Sequence, residues 1–283
     1  MNGWPEQPRA LISYAYIKPD ARLPADFDLL IDSGAFTAHT KGKEVDLGAY
    51  MQFLADRAGQ YRAAFSLDVI GDPAASMRNY RIMRRNLPDE IRLIPTWHVG
   101  SGWDEYRAVI DSGAPLVGIG GAVAHSSRQN ALMRTFIAAH RLAADAGVRL
   151  HGLGQTSLQA MRLPWESVDS SSWTYPLRYP MLLLARRNGG IRSMTRGKPL
   201  TVAERHLVRT YGMDPRRVSS PTRASPALLA DSAVQTGRSY IYTEQVGRHG
   251  TRVYLAYAGA DYFADYLRAA YRAGSPYPTR STQ

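Results

Sequence analysis

Leu29-Leu30-Ile31-Asp32-Ser33-Gly34-Ala35-Phe36 is the stretch whose reading decides the fold. Its apolar residues form a continuous run rather than an alternation, which is how a parallel strand covered on both faces reads. The run delivers Asp32 to the strand's C-terminal end, where Ser33 and Gly34 turn the chain and Phe36 follows. Taken alone, Asp32 reads as a cap on the next helix or as a turn residue. The same ending recurs downstream. Ala63 to Ile70 carries Asp68, Ile91 to His98 ends on Trp97-His98, Pro115 to Gly121 ends on Gly120-Gly121, and Ser167 to Trp173 carries Asp169.

Two further strands, Leu11 to Ile17 and Arg149 to Gly154, complete a set of seven. Helical patterns separate most of them. One runs from an Asp46 cap to about Tyr61, a second from Gly71-Asp72-Pro73 to about Arg85, and others span Trp103 to Ile110, Ser127 to Ala146 and Ser157 to Arg162. Regular alternation of this kind is the pattern of parallel βα units. Polar residues collected at the ends of several different strands favour a (β/α)8 TIM-type barrel over an open sheet, because a barrel builds its site at the C-terminal face. The eighth strand then comes from the N-terminus or the C-terminal third. Residues 1–175 form the main part of the barrel with its site. Residues 176–283 form a basic, nucleic-acid-contacting segment with a hairpin and a terminal helix that complete the domain. The hairpin is expected from Ser239 to Gln245 and Thr251 to Tyr257, the helix from Tyr262 to Arg272, and a frayed tail from Pro276.

The 283 residues are 45% hydrophobic, enough for one large domain. No run approaches a membrane span and no signal peptide is evident at Met1-Asn2-Gly3-Trp4-Pro5. The absence of cysteine excludes disulfides, a thiolate nucleophile and a thiolate zinc site, and fits a cytoplasmic protein, in a host's cytoplasm if phage-encoded. The net charge of +11 is concentrated: Arg186, Arg187, Arg192, Arg196, Lys198, Arg205, Arg209, Arg216 and Arg217 face only Glu204 and Asp214 in that segment. Such clustering is the electrostatic footprint of a protein that meets phosphate backbones, against the plainer alternative of a solubilising face.

Three aspartates at one mouth are costly unless used or paired, because like charges raise one another's pKa. Two carboxylates suit chemistry at an anomeric carbon, one as nucleophile and the other moving protons. The glycine pair admits a planar ligand close to the backbone, and Trp97-His98 offers a stacking face and a hydrogen bond. Each residue also has an ordinary reading as a cap, a core histidine or tight packing.

Asp32-Ser33-Gly34-Ala35-Phe36 resembles the D-S-G-G-F motif of the tRNA-guanine transglycosylase family, barrel enzymes that exchange guanine for a 7-deazaguanine. Phe65-Ser66-Leu67-Asp68 resembles the family's F-x-D strand, Val117-Gly118-Ile119-Gly120-Gly121 its V-G-G loop, His151-Gly152-Leu153-Gly154 its M-G-V-G strand and Val168-Asp169 its nucleophile strand, all in the family's order. Ile94-Pro95-Thr96-Trp97-His98 stands where the family has a strand ending in Gln-Gly. The resemblance covers residues 11–175.

The resemblance implies that Asp169 attacks the anomeric carbon and that Asp32 protonates the departing guanine and deprotonates the incoming base. Asp68, beside Ser33, reads the amino-pyrimidine edge, the Gly120-Gly121 amides take the carbonyl, His98 replaces a glutamine contact, and Phe36 or Trp97 provides an aromatic lid. Without cysteine the family's zinc site cannot exist, so no cofactor is expected, and Ser170-Ser171-Ser172-Trp173 replaces the usual T-R. In its place stands the basic stretch, where Arg186, Arg187, Arg192, Arg196, Lys198, Arg216 and Arg217 would contact nucleic acid. These departures resemble the divergent phage and bacterial (DpdA-type) branch that inserts 7-deazaguanines such as preQ0 into DNA, where accessory modification proteins are further partners. The alternatives are a tRNA acceptor, a catalytically inactive nucleic-acid-binding barrel and, last, a carboxylate-pair glycosidase.

Overall fold

A computed structural model describes residues 3–18, 21–121, 129–157, 159–258 and 261–277. The chain begins with β1 (Arg9–Ser13) and β2 (Asp28–Asp32), followed by α1 (Ala35–Thr40) and α2 (Leu47–Asp56). As expected, Asp46 caps α2, its side chain accepting from Ala49 N–H at 2.7 Å. Then come β3 (Ala63–Phe65) and α3 (Pro73–Asn86), capped by Asp72 with Pro73 in the first turn. The expected single strand Ile91 to His98 is two pieces, β4 (Leu93–Ile94) and β5 (Thr96–His98), broken at Pro95, which has no N–H to give a ladder. The units α4 (Trp103–Ile110), β6 (Leu116–Gly120), α5 (Gln129–Asp145), β7 (Arg149–Gly152) and β8 (Ser167–Ser170) complete the regular part. Of the helix expected over Ser157 to Arg162, a 3-10 turn at Ala160–Arg162 is present among the described residues.

Beyond β8 lie α6 (Tyr175–Arg178), an antiparallel pair β9 (Met181–Ala185) and β10 (Ile191–Thr195), α7 (Val202–Thr210), α8 (Pro215–Ser219), α9 (Pro226–Val246), β11 (Arg252–Tyr257) and α10 (Asp261–Arg272). The expected hairpin is a helix followed by a strand. Ser239 to Gln245 lies inside α9, and only the segment from Arg252 to Tyr257 is a strand. That strand runs parallel between β1 and β8, with Ala10 opposite Leu255 and Asp169 opposite Tyr254.

The large sheet has the order β4-β3-β2-β1-β11-β8-β7-β6-β5, all pairings parallel. Its two outermost members, β4 and β5, are separated in the chain by Pro95 alone. The result is a nearly closed, barrel-like parallel sheet with helices around it, consistent with a TIM-type barrel. One apolar cluster fills the inside of the curve, built from Leu11, Leu30, Phe65, Ile94 and Tyr254 among others. The larger cluster lies between strands and helices, with Leu29, Ile31, Tyr50, Val117 and Leu267 in it. Side chains alternate along a strand, so Leu29 and Ile31 face the helices while Asp28, Leu30 and Asp32 face inward. A third cluster, with Leu182, Leu184, Val208, Tyr211 and Val218, gives the basic segment a small core of its own.

Candidate active site

Asp28 and Asp32 share one strand and one face, yet they live in opposite environments. At the N-terminal end, Asp28 accepts two hydrogen bonds from Arg62, at 2.6 and 2.7 Å, and one from the Tyr254 hydroxyl at 3.1 Å. Its charge is compensated by the protein. Asp32, at the C-terminal end, has no cation within ion-pair distance among the described residues. Its carboxylate accepts from Gly34 N–H at 3.0 Å, an approach set by the left-handed φ of +79° at Gly34. Burial, first, and then the charge of Asp68 push the Asp32 carboxyl up to about 7, with a smaller push from Asp169; Ser13, in register beside it, and the Gly34 N–H pull the other way. An acid tuned to the working pH is the state a proton donor and acceptor needs.

Asp68 follows β3 and is bridged on both sides. Ser33 Oγ donates to its Oδ1 at 3.0 Å, and His98 Nε2 lies 2.9 Å from its Oδ2. The Asp68–His98 pair is partly open, with side chains 14% and 27% exposed. Ser33 itself is buried, so it serves Asp68 as a fixed donor rather than as an open contact.

Asp169 stands near the end of β8, and its Oδ1 is held by two donors, Gly154 N–H at 3.0 Å and His151 Nε2 at 3.2 Å. A carboxylate only accepts, so His151 carries a proton on Nε2, and its Nδ1 is hydrogen-bonded with Ser167 Oγ at 2.8 Å. The imidazole is fully buried, edge-on to Phe65 at 5.1 Å. Among the described residues no hydrogen bond engages Asp169 Oδ2. One oxygen is anchored and the other is available.

Sequence reasoning missed His151, Ser167 and Gly154 as members of this site. A signal was present. Ser167 and Asp169 are two apart on a strand and so share its inner face, and a histidine stands in the buried part of β7, between Leu150 and Gly152. His151 pairs with Ser167 in the ladder between β7 and β8, which sets the histidine against both.

The other expected residues divide. Phe36, on α1, is 66% exposed and is free to act as a lid. Trp97 is corrected: its ring is 2% exposed and packs among Trp103 and Tyr106, with Nε1 donating to Gly102 C=O. Alternation on β5 turns His98 inward and Trp97 out toward α4, so Trp97 is core and not lid. The Gly120-Gly121 pair packs against His98 and Val99. A Cβ at Gly120 would meet His98 Nε2 at 3.4 Å, and Gly121 has a φ of +76°. The Gly120 carbonyl already accepts from Val99 N–H at 2.9 Å, so this pair supports the Asp68–His98 edge from behind.

In the basic segment, Arg192 is committed to Glu204 at 2.7 Å and Arg196 donates to the carbonyls of Pro176 and Tyr179. Arg186 and Arg187 lie at the β9–β10 turn, Lys198 is exposed after β10, and Arg216 and Arg217 are exposed on α8. Tyr240, Tyr242, Tyr254 and Tyr257 are buried, as core residues are. Residues 278–283 of the expected tail lie outside the described residues. Tyr277 is pinned, its hydroxyl donating to Ala185 C=O at 3.0 Å.

No family model, curated protein or solved structure matches the chain. Among the described residues no group of three or more His, Cys, Asp or Glu side chains is placed to hold a metal ion, and no helix is long and apolar enough to cross a membrane.

Proposed function

We propose that the protein is a base-exchange glycosyltransferase on a (β/α)8 barrel, replacing guanine in DNA with a 7-deazaguanine through a covalent aspartyl–nucleotide intermediate. On this reading β4 and β5 count as one strand bent at Pro95, β11 is the eighth strand, and residues 176–251 are an insertion between the seventh and eighth. The observation that carries the reading is the division of labour between two inward-facing carboxyls. Asp32 has no cation beside it among the described residues and is pushed up to about 7, while Asp169 is anchored through one oxygen by His151 and Gly154. Environments that differ in this way are how paired carboxyls acquire distinct roles.

The steps balance. Asp169 Oδ2 attacks C1′ of the target nucleotide as the C1′–N9 bond breaks, and the departing guanine takes a proton from Asp32. The Asp32 carboxylate then removes the N9 proton of the incoming 7-deazaguanine, whose N9 attacks C1′ and releases Asp169. Water exclusion during the covalent stage falls to the base itself and to Phe36 above it. Asp68, presented by Ser33 and His98, accepts from the N1–H and amino group of the base. Extracting a nucleotide from its stack costs a few kcal/mol, which cationic and stacking contacts must offset.

The test is incubation with radiolabelled guanine and, separately, duplex DNA or bulk tRNA, scoring label in acid-insoluble polymer. Incorporation into DNA is expected. Label in tRNA alone would keep the chemistry and move the acceptor. Label in neither, with salt-dependent binding retained, would mark an inactive nucleic-acid-binding barrel.

A further inference from the structure

Shortly after β8 in the chain, α6, together with the end of β10 and the connection from α8 to α9, lines a pocket of about 330 Å³. Its lining includes Arg178, Arg196, Arg217 and Arg223, and no acidic side chain. None of these four arginines has an ion-pair partner among the described residues. The contrast within the same segment is informative: Arg192, nearby in sequence, is neutralised by Glu204.

Arg196 is the anchor. Its Nη2 donates to Pro176 C=O at 2.6 Å and to Tyr179 C=O at 2.9 Å, which fixes the guanidinium in place. Its Nε and Nη1 are buried with no acceptor, and burial lowers its pKa. A fixed, half-buried cation with unmet donors is costly unless an anion accompanies it. One tyrosine, Tyr179, lines the pocket, and a second, Tyr175, packs against it. Tyr179 is 51% exposed and Tyr175 is 37% exposed, with ring centroids 5.5 Å apart, edge to face. Both lie within ten residues of Asp169 in the chain, on the segment that leaves the C-terminal end of β8. Exposed rings beside a cationic pocket fit a nucleotide unit, whose phosphate and base need those two environments side by side.

We propose that this pocket holds a backbone phosphate of a single-stranded stretch of the polynucleotide, with a flanking base stacked on Tyr179. The proposal rests on the base-exchange reading for its choice of ligand, and it supplies contacts that hold the strand while the target nucleotide is out of its stack. Arg178, Arg217 and Arg223 are exposed and give the field, whereas Arg196 gives the fixed point.

The measurement is fluorescence anisotropy of a labelled single-stranded oligodeoxynucleotide on the full chain, across a salt series, with inorganic phosphate as competitor. The Arg217→Ala/Arg223→Ala double variant removes exposed side chains without ion-pair partners, so its thermal transition should match wild type. Its affinity is expected to fall ten- to a hundredfold, with the slope of log K against log salt reduced by up to about 1.4, the single-strand value for two lost cations. Tyr179→Ala should lose about tenfold in affinity at an unchanged slope. Arg81→Ala, on α3 and outside the pocket, should bind as wild type. Unchanged oligonucleotide affinity and slope in the double variant would overturn the proposal, as would inorganic phosphate binding that the double variant abolishes with no effect on the oligonucleotide. If base exchange is absent in every protein while oligonucleotide binding still depends on the pocket, the catalytic reading fails and the pocket stands.

Discussion

Asp32 is where the chemistry and the stability of this protein meet. Its carboxyl titrates at about 7, above its ordinary 3.8, because it is withdrawn from water and shares the mouth with Asp68 and Asp169. The unfolded chain therefore ionises first, so this residue costs no stability below pH 4, and stability falls as pH rises from about 4 to 7. Asp32→Asn should be more stable than wild type at pH 8 by about 2 kcal/mol, half the full linkage value because the residue keeps some solvent contact, and should match it at pH 4. Thermal denaturation at the two pH values checks this. The same substitution should lower base exchange at least a hundredfold, the usual range for a lost general acid and base. Under the proposed mechanism His151 acts through Asp169, which it contacts at 3.2 Å. His151→Phe keeps a buried ring but removes the donor to Oδ1, and should lower the exchange rate constant ten- to a hundredfold with little change in affinity for the polynucleotide. Equal losses in both would make His151 a structural residue only.

Helix α9 shows what an element can owe to its surroundings. Its C-terminal half, Ser239-Tyr240-Ile241-Tyr242-Thr243, is rich in residues that favour strands, and sequence reading assigns it to a hairpin. The helix wins because Ser225 caps it and its buried hydroxyls find carbonyls in the preceding turn: Ser232 donates to Leu228 C=O, Ser239 to Gln235 C=O and Thr243 to Tyr240 C=O. Ser239 Oγ also accepts from Ala185 N–H at 3.1 Å, so the helix satisfies a backbone donor of β9. Glu244 ties the same helix to the sheet, accepting from Val253 N–H at 2.9 Å and pairing with Arg9. Glu244→Ala leaves the largely buried Arg9 without that carboxylate and should cost about 3–5 kcal/mol in denaturant unfolding. This helix also explains what was legible in the sequence. The strands with continuous apolar runs and the caps Asp46 and Asp72 were readable because local pattern and final structure agree. The break at Pro95, the role of α9 and the Asp169–His151 contact depend on pairings between distant segments, which local periodicity does not encode.

At the scale of the whole molecule, the sheet sorts charge along its axis. The N-terminal end is closed by Asp28, Arg62, Arg9 and Glu244, a compensated network, while the C-terminal end gathers Asp32, Asp68 and Asp169, whose ion-pair partners among the described residues are histidines. The basic segment follows directly on the strand that carries Asp169. Under the proposed function, a polyanion drawn to that segment would bring its nucleotides to the acidic mouth, and the net charge of +11 would make the encounter salt-dependent. Duplex DNA association should accordingly weaken by orders of magnitude between 50 and 200 mM salt, as about six or more phosphate contacts would require. On the proposed mechanism, Asp169 forms a bond to C1′ of a nucleotide. The most direct measurement is intact mass of the protein after incubation with a guanine-containing oligodeoxynucleotide and denaturing quench. A protein-bound oligonucleotide lacking one guanine is predicted for wild type and absent for Asp169→Asn; an adduct that survives Asp169→Asn would contradict the account.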